Sequence, residues 1–418
     1  MPLAYRAGGP PPVGRSQRRL SQGKREVDNA MTDQKVTKAT GETSETPTNA
    51  NRRKFLTGAA AAGAGAAASI AAPQISRAQT TTIKMQGAWG SGDIFNEYAE
   101  DYARMVNEMG GGRLKIDYLT SGSVVKAFRV QDAVDKGVLD AGHQVAAYWY
   151  GKNKAASLFG TAPVYGWDAH MALGWIWQGE GLDLYHELVQ DILGLNIVGF
   201  FAMPMPAQPL GWFNQEINSA SDMEGLKYRT VGLATDVMQA MGVNVTQLPG
   251  GEIVPALERG VIDAFEYNNP TSDRAFGAHD VADHYYLGSY HQAMEFFEII
   301  FNKDMYDGLA DEQKAMLKHA AKAASSDNFW KGLDSYSKDL QWIQNEGGVN
   351  VHRTDKSILQ AQLQAWDQVL ENLRANDSFF KKVTDSQRAW AERVGYYLHS
   401  DQPDYVMAWE HYFGKLPS

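Results

Sequence analysis

Arg229 stands in the stretch "GLKYRT", and Glu266 stands in "GVIDAFEYNNP", directly before Tyr267, two asparagines and Pro270. Each follows a short apolar run of the kind that ends at a sheet edge. A guanidinium there faces the crevice where α/β sheets bind ligands, and its planar fork matches a carboxylate bidentately. An arginine on the surface is the plain alternative. A buried carboxylate is costly unless something pairs with it. Glu266 is therefore solvated, paired with a lysine or arginine, or bound to a cation, and spacing leaves all three open. If Arg229 and Glu266 face one cleft, a cation chelated by an organic anion reconciles them.

The elements that must position this pair are legible. "LKYR" reads as a strand, "VGLATDVMQAMG" as a helix, and "VNVTQLPGGEIVPALERGVIDAF" as strand, short helix, strand. Arg229 and Glu266 thus reach the same edge in adjacent units. Upstream, "TTIKMQGAW", "RLKIDYLT" and "DAGHQVAAYWY" read as strands. They are separated by helical patterns, the first carrying Ile94, Tyr98, Tyr102, Met105 and Met109 and stopping at Gly110–Gly112. This alternation predicts an α/β fold with a mostly parallel sheet and crossover helices. The proline-spaced "MPMPAQPLGWF" excludes a helix interior and suits an extended crossing between lobes. Beyond residue 310 the patterns are long and helical, more than two lobes need as caps.

Tyr148, Trp149, Tyr150, Trp167, Trp175, Trp177, Trp212 and Tyr267 supply aromatic surface, much of it core. Those in loops, Trp149 and Tyr267 above all, are the wall candidates for a pocket. There is no G-x-G-x-x-G after the first strand, no phosphate loop, no H-E-x-x-H and no G-x-S-x-G. His143, His170, His186, His279, His284 and His291 lack the spacing of a helical metal pair. The chain has no cysteine, which excludes disulfides, thiolate metal sites and cysteine nucleophiles.

Residues 1–50 are rich in Pro, Gly, Ser, Thr and Arg without period, a disordered or upstream extension with a second start at Met31. Residues 51–78 run "NRRKFLTGAAAAGAGAAASIAAPQISRA": a basic head, an uncharged Ala/Gly run, and small residues around Ser76-Arg77-Ala78. This is a twin-arginine export pattern, so the mature protein is expected in the periplasm. Residues 1–78 hold 12 Lys/Arg and 5 Asp/Glu, which leaves the remainder at a formal −17. So acidic a body argues against a nucleic-acid partner.

From about residue 82 to beyond 400 the chain resembles the periplasmic solute receptors of tripartite ATP-independent transporters, in their 2-oxo-acid and lactate branch. The resemblance rests on "GLKYR", "LPGGEIVPALERGVIDAFE" and "YHQAMEFF". It implies a two-lobed periplasmic-binding-protein-like fold with a hinge and long C-terminal helices. The expected division is 80–205 with 293–350 as lobe I, 206–292 as lobe II and 351–418 as a C-terminal helical extension.

The resemblance also implies roles. Arg229 takes the solute carboxylate, and Gln208, Glu266 and the Tyr267 carbonyl hold Na⁺ or Ca²⁺, with Gln292 assisting. Asn268, Tyr148, Trp149 and Tyr267 complete the pocket. The chain departs from the branch at Tyr267, where tryptophan is common, and at Gln292, where a carboxylate ligand is expected. The partners implied are a small monocarboxylate such as pyruvate or lactate, transporter membrane subunits and a second copy of the chain. Two other readings fit the residues: an exported hydrolase or lyase using Glu266 with a histidine, and a metal-free receptor for a sugar acid or dicarboxylate.

Overall fold

The computed structural model describes residues 80–161, 163 and 165–416. The upstream extension and export signal expected over 1–50 and 51–78 lie outside the described residues. Among those described, no helix is long and apolar enough to cross a membrane.

The first lobe begins with β1 (Thr81–Gly87), α1 (Ile94–Gly110), β2 (Leu114–Leu119), α2 (Val130–Asp135) and β3 (Ala141–Gln144). It continues through α3 (Ala169–Gln178), α4 (Gly181–His186) and β4 (Ile197–Met205). The chain then crosses into β5 (Gly211–Phe213), β6 (Lys227–Arg229), α5 (Ala234–Ala240), β7 (Asn244–Thr246) and α6 (Ile253–Glu258). β8 (Ala264–Phe265), α7 (Pro270–Ala275) and β9 (His284–Leu287) complete that passage. It returns through β10 (Glu295–Asn302), α8 (Lys303–Asp307) and α9 (Asp311–Asn345). Last come β11 (Asn350–Arg353), α10 (Lys356–Asn376), α11 (Ser378–Asp401) and α12 (Tyr405–Phe413).

Two sheets result, ordered β2-β1-β3-β10-β4 and β11-β9-β5-β8-β6-β7. β1 runs parallel to β2 and β3, but β10 is antiparallel to both β3 and β4. The cause is the crossing: β4 leaves toward the second lobe, whereas β10 arrives from it. The expectation of a mostly parallel sheet therefore holds for β1–β3 and gives way at β10. In the second sheet β6 is parallel to β7 and β8, which sets Arg229 beside Phe265.

Helix α1 buries Phe95, Tyr98, Tyr102 and Val106 along one stripe, while Met109 remains exposed. Asp93 caps its start by accepting from the Phe95 N–H, and Gly111 ends it at φ +53°, a left-handed turn that favours glycine. Phe297 of β10 packs edge-on against Phe95 and Trp89, with ring centroids 4.7 and 5.2 Å away.

Residues 351–416 are shared between the lobes. β11 pairs with β9 in the second sheet, and Ile358 of α10 joins the core around Tyr228 and Phe213. α11 lies on the first lobe, where Gln387 and Trp390 donate to the Leu158 and Met171 carbonyls. Helix α9, 35 residues long, packs on α1 and β4 of the first lobe and on α7 of the second.

Candidate functional site

The two lobes meet across a shut cleft. Asp93 of the first lobe accepts from the Tyr267 hydroxyl at 2.6 Å and from Ser272 Oγ at 2.8 Å. On the other side, Asp236 of α5 accepts from Tyr150 at 2.7 Å and pairs with Lys154. Gly232, at φ +65°, lies so near the first lobe that a Cβ would stand 2.9 Å from both Ala147 Cβ and Ser157 Oγ.

Arg229 and Glu266 converge between these contacts. Arg229 Nη1 donates to Glu266 Oε1 at 3.0 Å and to the Glu266 carbonyl at 2.7 Å. Nε donates to the Leu248 carbonyl at 2.8 Å. Both side chains are 1% exposed, so the arginine is an interior group and the surface alternative fails. With Nε committed to Leu248 and both Nη1 N–H groups to Glu266, Nη2 is the nitrogen left to meet a carboxylate. The "LPGG" turn that supplies Leu248 is glycine-dependent: a Cβ on Gly250 would stand 2.4 Å from the Tyr267 ring.

The two crossings enter the same space side by side, with the Gln208 N–H donating to the Gln292 carbonyl at 3.2 Å. Gln292 Nε2 lies 3.4 Å from both Glu266 Oε1 and Thr230 Oγ1. Glu295, first residue of β10, accepts from Gln208 Nε2 and Asn268 Nδ2 on one oxygen, Oε2. An amide facing a carboxylate presents its N–H end, so the Gln208 carbonyl points elsewhere.

The electrostatics are strained. Burial lifts the Glu266 carboxyl to about 7, against the opposing pull of Arg229. Burial likewise lifts Glu295 to about 8, with Glu266 adding to the shift and the two amides opposing it. Three side-chain oxygens of this cluster, Glu266 Oε2, Gln208 Oε1 and Gln292 Oε1, are buried without a hydrogen-bond partner among the described residues. Buried polar atoms are rarely left so. A carboxylate and two neutral carbonyls form a donor set suited to a hard cation that binds oxygen.

The structure brings together Arg229, Glu266, Gln208, Gln292, Asn268 and Tyr267. Tyr148 is near enough for its phenol to feel the charges of Arg229, Glu295 and Glu266. Trp149 is a different case. It packs against Tyr185 inside the first lobe, with centroids 6.1 Å apart, and makes no hydrogen bond to the cluster, so the wall role expected of it passes to Tyr148. Sequence reasoning missed Glu295 and Asp93. For Glu295 a signal existed, an acidic residue inside the apolar run "AMEFFEIIF". Asp93 reads as a helix cap, and it is one, with one carboxylate oxygen to spare for Tyr267.

No histidine hydrogen-bonds Glu266 among the described residues. His291 is the histidine next to Gln292. Its Nδ1 meets Ser289 Oγ at 2.5 Å, and burial holds the ring neutral, its pKa pushed down to about 3.

Comparison with known proteins matches residues 85–377 to the bacterial extracellular solute-binding protein family 7. A monocarboxylate 2-oxoacid-binding periplasmic protein of Nostoc sp. is 32% identical over 296 residues, 71% of this chain and 80% of the relative. A solute-binding protein of a tripartite ATP-independent transporter from Colwellia psychrerythraea, solved with calcium and pyruvate, superposes with TM-score 0.72 at 30% identity. It covers 77% of this chain and 98% of its own. Another from Pseudoalteromonas atlantica, solved with sodium and pyruvate, gives TM-score 0.73 at 29% identity over 77% and 97%. A third, from Bordetella bronchiseptica, is a mixed-occupancy dimer with calcium and picolinate, at TM-score 0.73 and 25% identity over 77% and 95%.

Proposed function

The chain belongs to the family 7 bacterial extracellular solute-binding proteins, and from that premise we propose that it captures a small 2-oxo or 2-hydroxy monocarboxylate together with a hard cation. It is an extracytoplasmic receptor of a tripartite ATP-independent transporter and binds its solute without transforming it. The observation that carries the solute and cation reading is the set of three unpartnered buried oxygens beside an interior arginine.

Each residue has a task. Arg229 takes the solute carboxylate through Nη2. Gln208 Oε1, Glu266 Oε2, Gln292 Oε1 and the Tyr267 carbonyl hold the cation. A hard cation held there would supply the positive charge that neutralises the solute carboxylate, and a 2-oxo or 2-hydroxy acid would chelate it. Asn268 and Tyr148 bound the remaining space and favour a short solute. Closure buries the solute and presents a changed surface to the membrane subunits.

A second copy of the chain is the proposed cover for the C-terminal helices. Tyr396, Tyr397, Tyr405, Met407, Tyr412 and Phe413 are all more than 60% exposed, an apolar face of the kind subunit interfaces use. Light scattering on the wild type and on Y412S/F413S tests this, and an equal, monomeric mass for both rejects it.

Calorimetry of chelator-treated protein tests the solute. Pyruvate is expected to bind tightly with Ca²⁺ or Na⁺ present and weakly with neither. The same affinity in every ion condition returns the metal-free alternative. Conversion of pyruvate to another product returns the enzyme.

A further inference from the structure

Glu295 stands outside every role assigned above, yet it is buried at the centre of the cluster, 4% exposed. Its single oxygen Oε2 gathers Gln208 from one crossing and Asn268 from the second lobe. Glu295 itself starts β10 at the end of the other crossing, opposite Met205 of β4. Three separate segments are therefore tied by one carboxylate.

We propose that Glu295 is the positioning carboxylate of the cation site and that it makes this receptor select a divalent ion, Ca²⁺, over Na⁺. The inference rests on the receptor reading above. Two arguments carry it. The first is orientation. Because Gln208 gives its N–H end to Glu295, its Oε1 is turned away, and that atom is one of the unpartnered buried oxygens. Groups that orient metal ligands in this way are worth roughly 10–100-fold in metal affinity.

The second argument is charge. Glu266 and Glu295, when ionised, bring two negative charges against the one positive charge of Arg229, all within one buried cluster. A solute carboxylate adds a third negative charge. The enclosed group is then doubly negative, which a divalent ion neutralises and Na⁺ leaves in deficit. Gln292 contributes a neutral carbonyl at the position between the crossings, and Glu295, three residues on, restores a negative charge one shell behind the ligands.

The test titrates CaCl₂ and NaCl separately into the chelator-treated full chain saturated with pyruvate, followed by calorimetry. The wild type is expected to bind Ca²⁺ at least about 100-fold more tightly than Na⁺. E295Q should lose Ca²⁺ affinity roughly 10–100-fold while Na⁺ affinity moves less than about threefold. In Q292E/E295Q, with a carboxylate returned to the cluster, Ca²⁺ affinity should recover. Unchanged Ca²⁺ binding by E295Q overturns the proposal, and so do equal losses for both ions, which mark a merely structural role. Should E295Q fail to fold, the wild-type titration still decides: a preference for Na⁺, or none, overturns it. If the wild type binds neither ion, the cation reading of the receptor falls as well, which separates the two failures.

Discussion

Tyr267 of the second lobe donates its hydroxyl to Asp93 of the first, 2.6 Å away, and the same tyrosine's backbone follows the buried Glu266. One residue thus borders the buried pair with its main chain and joins the lobes with its ring. The carboxylate that receives the hydroxyl is itself the N-cap of α1.

Y267F keeps the ring against Phe95 and Phe276 and removes only the latch. Hydrogen bonds to charged groups contribute about 1.5–3 kcal/mol, so pyruvate affinity should fall roughly 10- to 150-fold, mainly through faster dissociation. Stopped-flow release measures it. A dissociation rate equal to wild type means that the latch does not hold the shut form.

Closure also depends on the contact at Gly232. G232A places a methyl against Ala147 and Ser157 and puts an L-residue at φ +65°. The lobes should fail to meet fully, and solute affinity should fall although Arg229 and Glu266 are untouched. Small-angle scattering with saturating pyruvate should give a larger radius of gyration than wild type. Identical curves would contradict the shut geometry.

R229A removes the solute grip and leaves Glu266 without its internal partner. The Leu248 and Glu266 carbonyls lose their donor too, each buried group left unsatisfied costing about 1–3 kcal/mol of stability, and pyruvate affinity should drop below detection. R229K keeps the charge but cannot reach the Leu248 and Glu266 carbonyls together, so it should bind at least about tenfold more weakly. Calorimetry and thermal melts on both variants check this, and R229K binding like wild type would exclude a forked contact.

E266Q should act in opposite directions on folding and on binding. The Glu266 pKa is raised to about 7, so the ionised form destabilises the solute-free fold as pH climbs from about 4.5 through 7. At pH 8 the solute-free variant should therefore unfold at higher urea than wild type, while its Ca²⁺ affinity falls at least about tenfold. Parallel losses in both assays would refute the assignment.

Glu298 offers a pH test outside the site. Burial lifts its carboxyl to about 8, against opposing hydrogen bonds from Tyr185 and Gln144. A raised carboxyl holds its proton longer in the fold than in the unfolded chain. The stability it contributes is full below about 4.5 and is lost as pH rises toward 8. Glu266 and Asp273, both near 7, add the same sign. Urea midpoints should fall between pH 5 and 8 in the solute-free protein, and less steeply in E298Q. Equal slopes would show that Glu298 titrates as it does in the unfolded state.

Sequence made Arg229 and Glu266 visible because each ends an apolar run, and parallel pairing of β6 with β8 then forces adjacency. The lobe crossing at Pro204–Pro209 was legible for a similar reason, since proline restricts the backbone to extended forms. Glu295 left only a partial signal, an acidic residue inside an apolar run, and the ladder shifts register between Glu295 and Phe297. Sequence alternation carries no trace of such an irregularity. Asp93 lies 174 residues from Tyr267, and nothing local in either segment announces that contact. The place of β11 was hidden as well: four residues after a 35-residue helix pair with β9, a choice made by the fold as a whole.

Helix α9 is about 50 Å long at 1.5 Å per residue and is fastened to both lobes. Tyr336 meets Tyr98 of the first lobe, hydroxyl to hydroxyl at 2.9 Å, while Asp339 holds Thr271 and Arg274 of the second at 2.6 Å. A strut shared in this way limits how far the halves can swing along the flank it spans. Parting of the halves is then greatest at the mouth, the side on which a membrane partner would find the most difference between a laden molecule and an idle one.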